Sequence, residues 1–159
     1  MVPGGYARAR NRDRRGWRFQ VTAPICRDLD ALVPSFRAKV VALLARMKAR
    51  GYSVQVWETY RSPARIALLA ARGTGSSRSM HEFGVAADIV ENDKTPWVAN
   101  VPGLWDALGG EAYALGLTWG GRFRNRKDYP HVQAIPVAKQ NAVRAARGDP
   151  EAIDRIARG

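Results

Sequence analysis

Apolar residues recur along this chain with two periods, and the switches between them mark its elements. From Pro34 to Arg50, Phe36, Val40, Leu43, Leu44 and Met47 form a stripe at 3.6-residue spacing, which predicts a helix, with Gly51 as its stop. The period then drops to two. Tyr52, Val54 and Val56 alternate with Ser53, Gln55 and Trp57, the pattern of a half-buried strand. Ser62-Pro63 reads as a helix start, with Ser62 as N-cap and Pro63 in the first position of an Ala- and Leu-rich helix that runs to about Arg72. The polar run GTGSSRS, 73–79, is a loop of turn formers. Val85, Ala87 and Ile89 alternate with Ala86, Asp88 and Val90, predicting a second strand. A loop from Asn92 to Pro102 leads to a helix near Leu104 to Leu115 closed by Gly116. A short strand follows at Leu117 to Trp119, and another begins near His131. The tail from Val137 to Arg158 predicts a basic amphipathic helix broken at Gly148-Asp149-Pro150. Helices and strands mix without regular βαβ alternation, so the expected class is α+β with a small antiparallel sheet flanked by helices. Neither a repeat nor a linker is visible. Residues 1–159 read as a single catalytic-sized domain with a basic arm (1–18) and a basic C-terminal helix (137–159).

Composition narrows the class. A chain of 159 residues, 46% hydrophobic and with five tryptophans, can bury a core, and Trp57, Trp97 and Trp105 are its default aromatic members. No apolar run approaches the ~18 residues of a membrane span. The basic N-terminus lacks the apolar stretch of a signal peptide, so the chain is expected to stay where it is made unless another agent delivers it. The single cysteine, Cys26, excludes an internal disulfide and a multi-cysteine zinc site. Lys plus Arg number 26 against 14 Asp plus Glu, a net charge of +12 that favours polyanions. Nucleic acid and an anionic cell envelope both satisfy that charge.

The chemistry centres on the only two histidines, His81 and His131. His81 lies in SMHEFGVAAD (79–88), which opens like the zinc-protease motif H-E-x-x-H and then places Val85 where the second histidine belongs. If the following segment is a strand, Asp88 sits on an otherwise apolar element. A carboxylate there is costly to bury without a cation, a hydrogen-bond network or a metal. His81, Asp88 and His131 would supply two imidazoles and a carboxylate, a suitable set for catalytic zinc, which takes three protein ligands and keeps a fourth position for water. Asp128, tied to His131 through the stiffening Pro130, is placed to act as general base.

At these residues the chain resembles the LAS-type zinc metallopeptidases, the group that includes D-Ala-D-Ala carboxypeptidases and L-alanyl-D-glutamate endopeptidases. SMHEFGVAAD fits their S-x-H-x-x-G-x-A-x-D pattern, Asp128-Tyr129-Pro130-His131 fits D-x-x-H, and ETYRSPARIALL resembles the T-x-R-S segment before a helix. The resemblance spans about residues 36 to 135. It implies a Hedgehog/DD-peptidase-like fold and one zinc ion per chain, with His81, Asp88 and His131 as ligands and Asp128 as catalytic base. Arg61 would stabilise a developing oxyanion, while Ser79 and Trp119 (in Trp119-Gly120-Gly121) would contact substrate. Gln133, on the strand face of His131, is a further candidate for substrate or site contact.

DYPHVQ leans toward the endopeptidases, although Val132 stands where an aromatic is more usual. The implied activity is therefore hydrolysis of the peptidoglycan stem peptide, as in a monomeric phage endolysin that reaches the wall from the host cytoplasm through a holin. D-alanyl-D-alanine carboxypeptidase or dipeptidase is the alternative within the family. The basic surface would draw such an enzyme to lipopolysaccharide or an anionic wall polymer. A nucleic-acid-binding module is the competing class, but it leaves both histidine motifs unexplained, and no helix-turn-helix or finger pattern accompanies it, so no specific nucleic acid is expected.

Overall fold

The computed structural model describes residues 8–13, 16–21, 23–92 and 101–159. In chain order its elements are β1 (Arg8–Asp13), β2 (Gly16–Val21), α1 (Pro34–Ala49), β3 (Val54–Glu58), α2 (Pro63–Ala71), β4 (Ala86–Glu91), α3 (Leu104–Ala114), β5 (Thr118–Trp119), β6 (His131–Gln133), α4 (Gln140–Ala145) and α5 (Pro150–Arg158). No helix among the described residues is long and apolar enough to cross a membrane.

Two compact units divide the chain: Met1–Pro24 with Ser62–Ser79, and Ile25–Arg61 with Met80–Gly159. The first contains an antiparallel ribbon in which β1 pairs with β2 from Arg8↔Val21 to Asp13↔Gly16. Much of the expected arm is thus strand, consistent with the alternation of Trp17, Phe19 and Val21 with Arg18 and Gln20. The same unit holds α2, whose N-terminus forms as its sequence predicts. Ser62 Oγ accepts a hydrogen bond from the Arg65 N–H at 3.3 Å, and Pro63 occupies the first turn.

The second unit carries the main sheet, in the order β3-β4-β6-β5, with every neighbouring pair antiparallel. This is the α+β arrangement expected. Phe36, Val40, Leu43 and Met47 of α1 are fully buried in one cluster with Val85, Ala87 and Ile89 around β4, Val132 of β6, and Leu104 and Leu108 of α3. Each such side chain contributes about 1.5–3 kcal/mol by leaving water. The N-terminus of α1 is capped from a distance, because the Ser35 N–H donates to Asp154 Oδ1 of α5 at 2.9 Å. Burial would raise the Asp154 carboxyl, but the hydrogen bond from the Ser35 N–H and the charge of Arg158 outweigh it and hold the group below its ordinary value.

The tail is interrupted where expected. A single 3-10 turn (Val137–Lys139) leads into α4, Arg147 and Gly148 adopt positive φ, and Asp149 caps α5 by accepting from the N–H groups of Glu151 and Ala152. Trp105 packs, partly buried, against the core. Trp57 does not take its expected core position: it is half-exposed beneath the Arg27 guanidinium, 4.7 Å from the ring centre. In the alternation it shares the face of Ser53 and Gln55 rather than that of Val54 and Val56, and it sits at the break in the β3–β4 register between Val56 and Glu58. Trp97 lies outside the described residues.

Candidate metal centre

Strand register builds one side of the centre. Glu58 of β3 is the partner of Asp88 on β4, and Asp88 is in turn the partner of His131 on β6. Directly opposed residues on neighbouring strands point to the same face, so the three side chains form a row across the sheet. His81 comes from the short 3-10 turn Met80–Phe83, which ends at Gly84. Gly84 has φ 66°, and a Cβ there would sit 2.7 Å from the Ala31 carbonyl oxygen. A turn that must stop at this glycine cannot continue into the helix that H-E-x-x-H requires, and the chain enters β4 instead.

The donor atoms converge. His81 Nε2, His131 Nδ1 and Asp88 Oδ1 are separated from one another by 3.3 Å along each edge of a triangle. Four donors held tetrahedrally about 2.0–2.1 Å from a zinc ion stand roughly 3.3–3.4 Å apart, the same separation. The outer hydrogen bonds assign the tautomers. His81 Nδ1 is 2.7 Å from the Thr59 carbonyl and must donate to it, which leaves Nε2 bare. His131 Nε2 is 3.1 Å from Gln133 Oε1, and Gln133 Nε2 donates to the Ile135 carbonyl at 2.6 Å, so the amide presents its oxygen and His131 Nδ1 is bare. Three lone pairs therefore face a common point, and the buried Asp88 Oδ1 has no hydrogen-bond partner. Such a cluster is repulsive by itself and fits a cation. Among the described residues it is also the one group of three metal-ligating side chains.

Burial opposes the charged form of both Asp88 and His131, yet their mutual attraction prevails. The two imidazoles hold the Asp88 carboxyl well below the usual carboxylate range, and Asp88 with Asp128 raises the His131 imidazole above its ordinary value.

The remaining predicted residues fall as follows. Asp128, half-buried, opens the turn into β6: its N–H donates to the Gly120 carbonyl at 3.0 Å, and its carbonyl accepts the His131 N–H at 3.2 Å. Gly120 is required there, because a Cβ would overlap the Asp128 carbonyl oxygen and lie 3.0 Å from His131 Cβ. Trp119 supports the same turn, its Nε1 donating to the Tyr129 carbonyl at 2.7 Å. Its ring lies where a Cβ on Gly109 or Gly121 would collide with it. Arg61 is bound to two carboxylates: Nη2 reaches Glu58 Oε2 at 2.7 Å and Asp88 Oδ2 at 3.0 Å, and Nε reaches Glu58 Oε2 at 3.1 Å. Ser79 is buried but belongs to the first compact unit, whereas all the other predicted residues belong to the second. Two contributors were missed in the sequence, Glu58 and the carbonyl of Thr59.

A family model described as D-alanyl-D-alanine carboxypeptidase matches residues 72–134, the segment that contains His81, Asp88, Asp128 and His131. The Serratia marcescens L-Ala D-Glu endopeptidase ChiX is 27% identical with a TM-score of 0.51, the match covering 66% of this chain and 81% of that one. DacB from Streptococcus pneumoniae D39 shares the fold at 14% identity and a TM-score of 0.53, over 92% of this chain and 90% of that one. The LdcB LD-carboxypeptidase does so at 15% identity and a TM-score of 0.52, over 79% and 69%. Across the segment that holds the donor triangle, the chain is thus similar to these peptidases.

Proposed function

We propose that the chain is a metallopeptidase of the LAS type, a zinc enzyme that hydrolyses the stem peptide of peptidoglycan and acts as an L-alanyl-D-glutamate endopeptidase. The observation that carries the reading is the 3.3 Å triangle of bare donor atoms on His81, Asp88 and His131. The choice of bond leans on the 27% identity to an L-Ala D-Glu endopeptidase. The description of the matching family model favours a D-alanyl-D-alanine carboxypeptidase as the second reading.

Zinc bound by this donor set supplies a Lewis acid and lowers the pKa of water to about 7. The chain's own residues do the rest. Asp128, one turn from His131 and half-exposed, takes the proton of the attacking water and returns it to the leaving amine. Arg61 holds the outer oxygen of Asp88 through Nη2 at 3.0 Å and so fixes the carboxylate in place. Thr59 and Gln133 keep the two imidazoles in the tautomers that present a lone pair.

Mass analysis of purified peptidoglycan fragments after digestion tests the assignment. New N-terminal D-glutamate is the expected product. Released D-alanine would instead establish the second reading, and fragments left intact by the zinc-loaded protein would overturn both.

A further inference from the structure

We infer that Glu58 is a positioning residue of the metal centre: through Arg61 it occupies the outer oxygen of Asp88 and leaves Oδ1 as the single oxygen offered to a metal. The inference rests on the metallopeptidase reading above and extends it to residues beyond the ligands.

Glu58 is 1% exposed, at the end of β3. A strand terminus is an easy place to keep a carboxylate in water, yet the register break after Val56 sets Glu58 opposite Asp88. Both oxygens of Asp88 are then accounted for separately. Oδ2 takes the Arg61 Nη2–H at 3.0 Å, while Oδ1 faces the imidazoles without a hydrogen bond. Arg61 holds this pose because Glu58 Oε2 accepts from both its Nη2 and its Nε. Buried ion pairs are not retained for stability alone, since apolar replacements often match them. The position of this one points to a role in metal binding.

That role has a geometric part and an electrostatic part. A carboxylate with two free oxygens can hold a metal through either or both. With Oδ2 committed to Arg61, the protein offers three donors and leaves the fourth position open. An arginine alone beside the site would repel a dication, and Glu58 cancels that charge. With neutral imidazoles, Glu58, Asp88 and Arg61 together leave one net negative charge to attract a cation. Glu58→Gln would leave none.

The test measures zinc affinity of the full chain by chelator competition, with Co2+ absorption as the probe of coordination. Glu58→Gln is expected to weaken zinc binding about 10- to 100-fold, the usual effect of losing an outer partner. It should also lower the visible Co2+ absorption, as Asp88 binds through both oxygens and the coordination number rises. Should Glu58→Gln fail to fold, the double variant Glu58→Gln/Arg61→Met removes the whole ion pair and decides the matter. It keeps one net negative charge but frees Asp88 Oδ2, so it is expected to bind zinc more weakly than wild type, no more weakly than Glu58→Gln, and with the same fall in Co2+ absorption. A folded variant, single or double, with wild-type zinc affinity and Co2+ spectrum would overturn the inference. So would a double variant far weaker than a folded Glu58→Gln. Wild-type protein that binds no zinc would instead overturn the metal reading on which the inference rests.

Discussion

Gln133→Leu removes one acceptor and little volume, which makes it a sensitive probe of how the metal centre is prepared. In the wild type, His131 Nε2–H donates to Gln133 Oε1 at 3.1 Å in a buried site. The amide is fixed by its own bond to the Ile135 carbonyl at 2.6 Å, and Gln140 Nε2 adds a contact to Oε1 at 3.3 Å. With leucine, the tautomer that bares Nδ1 keeps a buried N–H without an acceptor, at a cost of about 1–3 kcal/mol. The other tautomer protonates Nδ1 and cannot bind metal. Zinc affinity should therefore fall about 10- to 100-fold, or roughly 1.4–2.8 kcal/mol. Chelator competition reads this loss directly. Thermal unfolding reads it again, because bound metal stabilises the folded state in proportion to its binding free energy. At about 2–4 °C per kcal/mol for a chain of this size, the zinc-induced rise in Tm should shrink by about 3–11 °C. Gln133→Glu keeps an acceptor and gives it charge, so it should retain affinity. A folded Gln133→Leu protein that binds zinc as tightly as wild type would refute the tautomer argument.

Asp128→Asn should keep its metal and lose peptide hydrolysis by about 100- to 10,000-fold, measured as turnover of a defined stem peptide at full zinc occupancy. Phe36→Ala empties a fully buried core position and should cost about 3–5 kcal/mol, seen in calorimetry as a large drop in Tm. Asp154→Ala removes the cap on α1 and should cost about 0.5–2 kcal/mol at neutral pH. Because the Asp154 carboxyl is depressed in the folded state, its contribution is present above the ordinary carboxylate value near 4 and is lost as pH falls through the folded value. Urea denaturation should show wild type and variant converging in strong acid, and a constant gap would contradict the cap.

Much of this architecture could be read in the sequence because single elements announce themselves. The Phe36–Met47 stripe, the Ser62-Pro63 start and the alternation through Ile89 each appear within a residue or two of their predicted places. Asp88 stood out because a carboxylate on an apolar strand needs a reason, and His131 because of its neighbours Asp128 and Pro130. Strand order was not legible. β6 is only three residues long, and its insertion between β4 and β5 depends on pairings that no local pattern encodes. Glu58 escaped for a related reason. At the end of an alternating strand it looks solvated, and nothing in Val54–Glu58 signals the register break that sets it opposite Asp88. Thr59 acts through its carbonyl, to which its side chain gives no clue. In the β1–β2 ribbon, the density of arginines hid an alternation that was present in the letters.

His81, Asp88 and His131 are proposed to hold one zinc ion. Elemental mass spectrometry of the purified, dialysed chain tests it most directly. One equivalent of zinc per wild-type chain, lost in His81→Ala, is the predicted result. Wild-type protein that takes up no zinc when reconstituted, or a His81→Ala protein that keeps a full equivalent, would contradict it.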